Sequence, residues 1–204
     1  MQPDVLVVQG SDAGGHGLAQ GAGVITLVPE VSDAIDSLAG RERGQVPIIV
    51  AAGGIAEARG AAAVLALGAS GLVMGTRFLA AKEAVIATGY QNEVVRASDG
   101  GQTTVRTKVY DNVRGTTGWA DTYNGRGIIN KSYIEAVAGL DEEENKKLYK
   151  EEIKKGDAGW GIEGRMTTYA GTGIGLVKTV MSAEDIVISV REGAKVVLKR
   201  VSGG

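Results

Sequence analysis

Of 204 residues none is cysteine and one is histidine. The first absence removes any disulfide framework, thiolate metal site or catalytic thiol, and the second leaves too few soft ligands for a structural zinc site. Aromatic side chains are scarce, with six Tyr, two Trp and one Phe. No charge of either sign dominates: 22 basic and 24 acidic residues, interspersed, give a net charge of −2, which lacks the basic footprint of a nucleic-acid binder. No apolar run approaches the ~18–20 residues that span a bilayer. The start, Met1-Gln2-Pro3-Asp4, carries neither the basic region nor the apolar stretch of a signal peptide. A cytoplasmic protein that engages neither membrane nor nucleic acid is therefore expected. At ~150 residues per domain, the length suits one domain or one with an appendage.

Glycine is abundant instead, at 32 residues against an average usage of ~7%. The glycines have no three-residue period, which excludes collagen, and they gather after short apolar runs. Val5-Leu6-Val7-Val8 ends in Gln9-Gly10, Pro47–Ala52 ends in Gly53-Gly54, and Gly71–Met74 ends in Gly75-Thr76. Runs that are apolar at every position predict strands buried on both faces, as in a parallel sheet. A helical pattern follows each: Pro29–Leu38 stopped by Gly40, Glu57–Leu67 stopped by Gly68, and Phe78–Ala87 stopped by Gly89. The order βαβαβα means an α/β fold.

The texture changes near Tyr90, which divides the chain into a βα part over residues 1–89 and a second part over residues 90–204. Gln91–Lys131 has no sustained period and reads as an irregular active-site cover or linker. Asp141–Lys155 reads as a charged helix with a solvated face, supported by Glu142/Lys146, Glu143/Lys147 and Glu151/Lys155. Ser182-Ala183-Glu184-Asp185 has the form of a capping box and predicts a helix to about Glu192, stopped by Gly193.

Chemistry concentrates where the strands end. The C-terminal ends of parallel strands form the site face, so the loop Gln9–Gly17 lies where ligands bind. Gly14, Gly15 and Gly17 let backbone approach a bound group, and His16 is suited to proton transfer near neutrality, unless it is a hydrogen-bonded structural residue. Asp12 either orients His16 or hydrogen-bonds the loop. The turns at Gly53-Gly54 and at Val73-Met74-Gly75-Thr76 offer backbone N–H groups that two adjacent turns can share on one phosphate. Ala170–Gly175 lacks the preceding buried strand and the spacing of a dinucleotide fingerprint, which favours close packing there. Arg77, Arg106 and Arg114 are candidates for an anionic substrate or are surface and loop residues. Trp119, Tyr123 and Trp160 either line a pocket or fill a small core.

In this order, Val7–Gly17, Pro47–Ile55 and Val73–Phe78 resemble the nitronate monooxygenase family, formerly the 2-nitropropane dioxygenases, which are FMN-dependent βα-barrel enzymes. Arg106–Asn130 and Tyr169–Leu176 resemble its C-terminal part, so the likeness covers nearly the whole chain. The resemblance implies a partial TIM (β/α)8 barrel, its last three βα units, with His16 as catalytic base and Gln9 and Gly14 as flavin contacts. It places Gly53, Gly54, Val73, Met74, Gly75 and Thr76 at the FMN phosphate. The reaction it implies oxidises alkyl nitronates or nitroalkanes with O2 to a carbonyl compound and nitrite. Two alternatives are an NAD(P)H-dependent FMN enoyl-thioester reductase and a catalytically incompetent fragment of such a barrel. Completing the barrel calls for a missing N-terminal half or for a homo-oligomer. No metal is implied.

Overall fold

A computed structural model of the chain describes residues 3–39 and 46–203. Three of the apolar runs form strands β1 (Val5–Gln9), β3 (Ile48–Ala52) and β4 (Gly71–Val73), joined in a parallel sheet of order β1-β3-β4. Val5 pairs with Ile48 and Val50 with Gly71, so the three strands end side by side. Helices α1 (Val24–Ala39) and α2 (Ala58–Ala66) cover one face of this sheet. There Val8, Ile49 and Ala51 pack with Val24, Val28 and Val64. The other face differs from expectation. Val5, Val7, Ile48 and Val73 are exposed, because no described residue packs over them.

A second sheet is antiparallel. Strand β2 (Gly15–Leu18) pairs with β6 (Tyr123–Ile128), which pairs in turn with β5 (Thr104–Thr107). The stretch Gln91–Lys131 is therefore ordered, not irregular. It holds the end of α4 (Thr88–Arg96), then α5 (Gly100–Thr103), β5, α6 (Val109–Arg114) and β6. Short strands rich in glycine carry no hydrophobic period, and these gain their stability from pairing across long sequence separations.

Helix boundaries follow the capping chemistry in some places and not in others. Glu57 caps α2 by accepting the Gly60 N–H at 3.2 Å, and Gly68, at φ +104°, ends that turn as expected. Helix α1 starts at Val24, earlier than expected, with Pro29 inside it. The stop predicted at Gly40 lies outside the described residues. The helix predicted over Phe78–Ala87 shrinks to α3 (Thr76–Leu79). Tertiary partners take the peptide groups it would need: Lys82 N–H donates to Met181 O at 2.8 Å, and Gln91 donates to the carbonyls of Leu79 and Ala81. Gly89 stops nothing and lies within α4, where a Cβ would stand 2.6 Å from Trp160.

After α7 (Lys131–Val137), the charged helix α8 (Glu142–Ile153) is capped by Asp141, and its Lys146 reaches Glu142 at 2.8 Å. Two of the other expected pairs shift register to i,i+3, as Lys147–Glu144 and Lys155–Glu152. The last helix, α9 (Ala183–Val201), begins with Ser182 accepting the Asp185 N–H at 3.0 Å, but it runs straight through Gly193.

Gly193 is a packing residue. A Cβ there would lie 2.6 Å from Ala58 Cβ, at the seam where Ala61 and Ala62 of α2 meet Ile186, Val190 and Ala194 of α9. In an open helix, Gly→Ala gains about 1 kcal/mol. Here the overpacking cost of about 1–3 kcal/mol outweighs that gain. Gly193→Ala is expected to lower the urea midpoint, and Gly193→Leu to lower it further; a raised midpoint for Gly193→Ala would contradict this packing.

Candidate active site

The strand ends bring three glycine loops together. Gly53 and Gly54 adopt φ +99° and +75°, and Cβ atoms on them would stand 2.8 Å from Gly10 O and 2.9 Å from Asp12 Cβ. Only glycine combines that backbone conformation with so close an approach. A fourth segment, the turn at Thr172–Leu176 with the residues before it, closes on the same place. Cβ atoms would bring Gly171 to 2.5 Å from Asp12 O and Gly173 to 2.7 Å from Gly54 O. Thr172 ties the loops by donating its N–H to Asp12 O at 3.0 Å and its hydroxyl to Asp12 Oδ1 at 2.8 Å. Gly171 N–H donates to Thr76 Oγ1 at 2.9 Å. Asp12 is thus committed to this junction and does not orient His16.

Between these loops lies a cavity of about 280 Å³, bordered by Gln9, Gly14, Gly53, Gly54, Val73, Gly75 and Thr76, with Tyr90 and Tyr169 at its side. Met74 does not join them, because its side chain turns to the helix layer beside Leu72 and Phe78. Among the described residues, the N–H groups of Gly54, Gly75 and Thr76 have no acceptor in the turns or side chains. They are free to bind an anion.

The loop after β1 is held from behind by two arginines. Arg106 donates to the carbonyls of Ala13 and Asn124 at 2.8 Å and to Ser11 O at 3.2 Å, and Arg126 also donates to Ser11 O at 3.2 Å. Their partners are all neutral: these carbonyls and, for Arg126, the Thr104 hydroxyl at 3.3 Å. Burial lowers the pKa of both guanidinium groups, and the nearby Arg126 charge lowers that of Arg106 further. Of the other candidate arginines, Arg77 is buried and Arg114 lies over the Tyr169 ring at 5.3 Å.

His16 sits in β2 opposite Gly125, where the absence of a side chain admits the Tyr169 ring; a Cβ on Gly125 would be 2.6 Å from Tyr169 Cε1. The imidazole Nε2 is 2.9 Å from both carboxylate oxygens of Asp111. The Trp119 ring stacks on it at 3.9 Å between centroids and 8° between planes. Tyr169 is tilted against it at 5.3 Å. A cleft of about 330 Å³ beside His16 is bordered by Arg106 and Tyr123, and it shares Gln9 with the glycine-floored cavity. Burial, with the Asp111 charge as the next cause, pushes the Tyr169 phenol up to about 12. It therefore remains a proton donor at neutral pH.

A profile of the nitronate monooxygenase family matches residues 1–193. The chain belongs to this family. Nitronate monooxygenase npaC of Metarhizium robertsii is 52% identical over 200 residues, which make up 98% of this chain and 54% of that protein. Nitronate monooxygenase of Neurospora crassa is 42% identical over 97% of this chain and 50% of its own length. The chain thus spans about half the length of these curated relatives. Among solved structures, FabK from Thermotoga maritima superposes with a TM-score of 0.71 at 25% identity, over 98% of this chain and 57% of that one. Nitroalkane oxidase from Streptomyces ansochromogenes gives a TM-score of 0.72 at 23% identity, over 97% and 53%, a likeness of fold.

In this member of the nitronate monooxygenase family, sequence reasoning did not single out Asp111, Thr116 and Tyr169, and left the place of Trp119 open. Nothing local marks Asp111 in Tyr110-Asp111-Asn112 as different from any other helix carboxylate. The signal available was Tyr169, directly before the glycine turn at Ala170-Gly171. Trp160, by contrast, is half-buried and packs beside Gly89 and Tyr90.

Proposed function

We propose that the chain is the FMN-binding, base-carrying part of a nitronate monooxygenase that oxidises alkyl nitronates or nitroalkanes with O2 to a carbonyl compound and nitrite. The observation that carries this reading is that His16, paired with Asp111, borders a cleft that shares Gln9 with the cavity floored by Gly14, Gly53, Gly54 and Gly75. Free N–H groups at Gly54, Gly75 and Thr76 fit a phosphate monoester. A Cβ on Gly75 would meet nothing within 4 Å, so the space beside it is open to a ligand. Gly53, Gly54, Gly75 and Thr76 would hold the FMN phosphate, with Gln9, Gly14, Val73 and the Met74 backbone along the rest of the cofactor. Bound FMN supplies the electron transfer between nitronate and O2. His16 removes the α-proton when the substrate arrives as a neutral nitroalkane, and Tyr169 and Trp119 shield its ring from water.

The same reading makes β1, β3 and β4 the last three strands of an eight-stranded barrel. Their exposed face, Val5, Val7, Ile48 and Val73, then points into the barrel interior. Among the described residues, each outer strand, β1 and β4, pairs on one side only, which leaves an edge for further βα units from an N-terminal half or a second chain.

The test is flavin retention followed by turnover. The purified chain, mixed with FMN and desalted, should keep a visible flavin band and release nitrite from an alkyl nitronate under air. Gly75→Val, whose αR backbone at φ −87° accepts a side chain, should fold normally and lose the band. Retention of stoichiometric flavin by Gly75→Val would move the cofactor out of this cavity. A folded wild-type chain without any flavin band would overturn the proposal for this chain.

A further inference from the structure

We infer that Asp111 is the positioning residue of His16, fixing the imidazole as its Nε2–H tautomer and leaving Nδ1 as the atom that accepts the substrate proton. The inference rests on the reading of His16 as base. Its support is geometric. Both Asp111 oxygens lie 2.9 Å from Nε2, and an ionised carboxylate only accepts hydrogen bonds, so Nε2 must carry the hydrogen. The Asp111 side chain is 5% exposed and that of His16 is 17%, which keeps competing water away from the pair.

Two further donors converge on the same carboxylate. Thr116 Oγ1 donates to Oδ1 at 2.8 Å and the Tyr169 hydroxyl to Oδ1 at 3.2 Å. Tyr169 keeps its proton, since burial and the Asp111 charge push its ionisation up to about 12. Asp111 therefore holds a fixed orientation before any substrate arrives. The turn beneath it is locked as well: Gly115 caps α6 at φ +73°, and Thr116 N–H donates to Asp111 O at 3.0 Å.

With Nε2 pinned and the ring plane set by the Trp119 stack, the imidazole has little freedom to rotate. Nδ1 has no hydrogen-bond partner among the described residues. In the proton transfer, the C–H bond next to the nitro group breaks and an Nδ1–H bond forms. The bonding pair moves onto the nitro oxygens and yields the nitronate. The imidazolium so created keeps its Nε2–H directed at a carboxylate of opposite charge, which stabilises it in a dry site.

The lone histidine makes a direct test simple. In the 15N-labelled full chain, long-range 1H–15N correlation needs no assignment among histidines. At a pH where the imidazole is neutral, the expected pattern has a pyrrole-type Nε2 and a pyridine-type Nδ1. An Nδ1–H tautomer, or a fast-exchanging mixture, in the native chain would overturn the inference without any variant. Asp111→Asn should move the two nitrogen shifts toward one another, and Asp111→Glu should restore their separation. An unchanged tautomer in a folded Asp111→Asn chain would also overturn it.

On the flavin-loaded protein, Asp111→Asn should lower kcat for a neutral nitroalkane by at least ~10-fold with KM little changed, because a mis-set tautomer cannot accept the proton. If the tautomer behaves as inferred while neither His16→Asn nor Asp111→Asn separates nitroalkane from nitronate turnover, Asp111 still positions the ring. In that case it is the assignment of His16 as base that fails.

Discussion

His16→Asn will cut turnover of a neutral nitroalkane by about 10²–10⁴-fold, the usual worth of a general base, and will leave turnover of the preformed nitronate nearly unchanged. The difference follows from the substrates. A nitroalkane must lose its α-proton before it can give up electrons, whereas a nitronate has lost it already. Asparagine is a better test than alanine because, although the ring stacked on Trp119 is lost, its amide can still donate to Asp111, so the hydrogen bonds of Thr116 and Tyr169 to that carboxylate need not collapse. Flavin retention in the same preparation separates a lost base from a lost cofactor. Equal losses on the two substrates would remove His16 from the proton transfer.

Gly14→Ala will cause the largest loss of stability among the cavity glycines. Its Cβ would stand 2.5 Å from Gly171 N and 2.7 Å from Ala170 Cα, both main-chain atoms with no flexible end to swing away. Overpacking of this kind costs about 1–3 kcal/mol and more where backbone must part. The parting would also separate Asp12 from Thr172 and open the floor of the cavity. Two neighbours supply the scale. Gly15→Ala meets nothing within 4 Å but must hold φ +69°, so it should cost about 1–2 kcal/mol through left-handed strain alone. Gly75→Ala has both space and an ordinary φ, and should leave the urea midpoint unmoved. If Gly14→Ala unfolds at the wild-type midpoint, the close contact of the two loops is wrong.

The parallel strands are legible because each is a short run of apolar residues, and the site face follows from where Gly10, Gly53 and Gly75 fall after them. Local signals also place Glu57, Asp141 and Ser182 at helix starts. Gly193 and Gly89 mislead for one reason. A glycine chosen for close approach, to Ala58 in one case and Trp160 in the other, looks in sequence like a glycine chosen to end a helix. The antiparallel sheet is hidden because β2 is Gly15-His16-Gly17-Leu18 and β5 is Thr104-Val105-Arg106-Thr107, too short and too polar to show a period of two. Asp111 is hidden more deeply, since its meaning arises only when it meets a residue 95 positions away.

That separation bears on how the protein is made. His16 is synthesised well before its strand partner Gly125, its carboxylate Asp111 and the tyrosine beside it, Tyr169. The junction of Asp12 with Thr172 spans 160 positions. Closing loops of this length costs entropy before any contact repays it, so pairing of this kind is intrinsically slow. The parallel sheet and the helices over it lie within residues 5–73 and can collapse on their own residues, while the proton-transfer centre must wait until Tyr169 has been made. A nascent chain halted before Tyr169 would present the glycine loops without the segment that closes their cavity, so release of a premature product yields a protein with a core but no site.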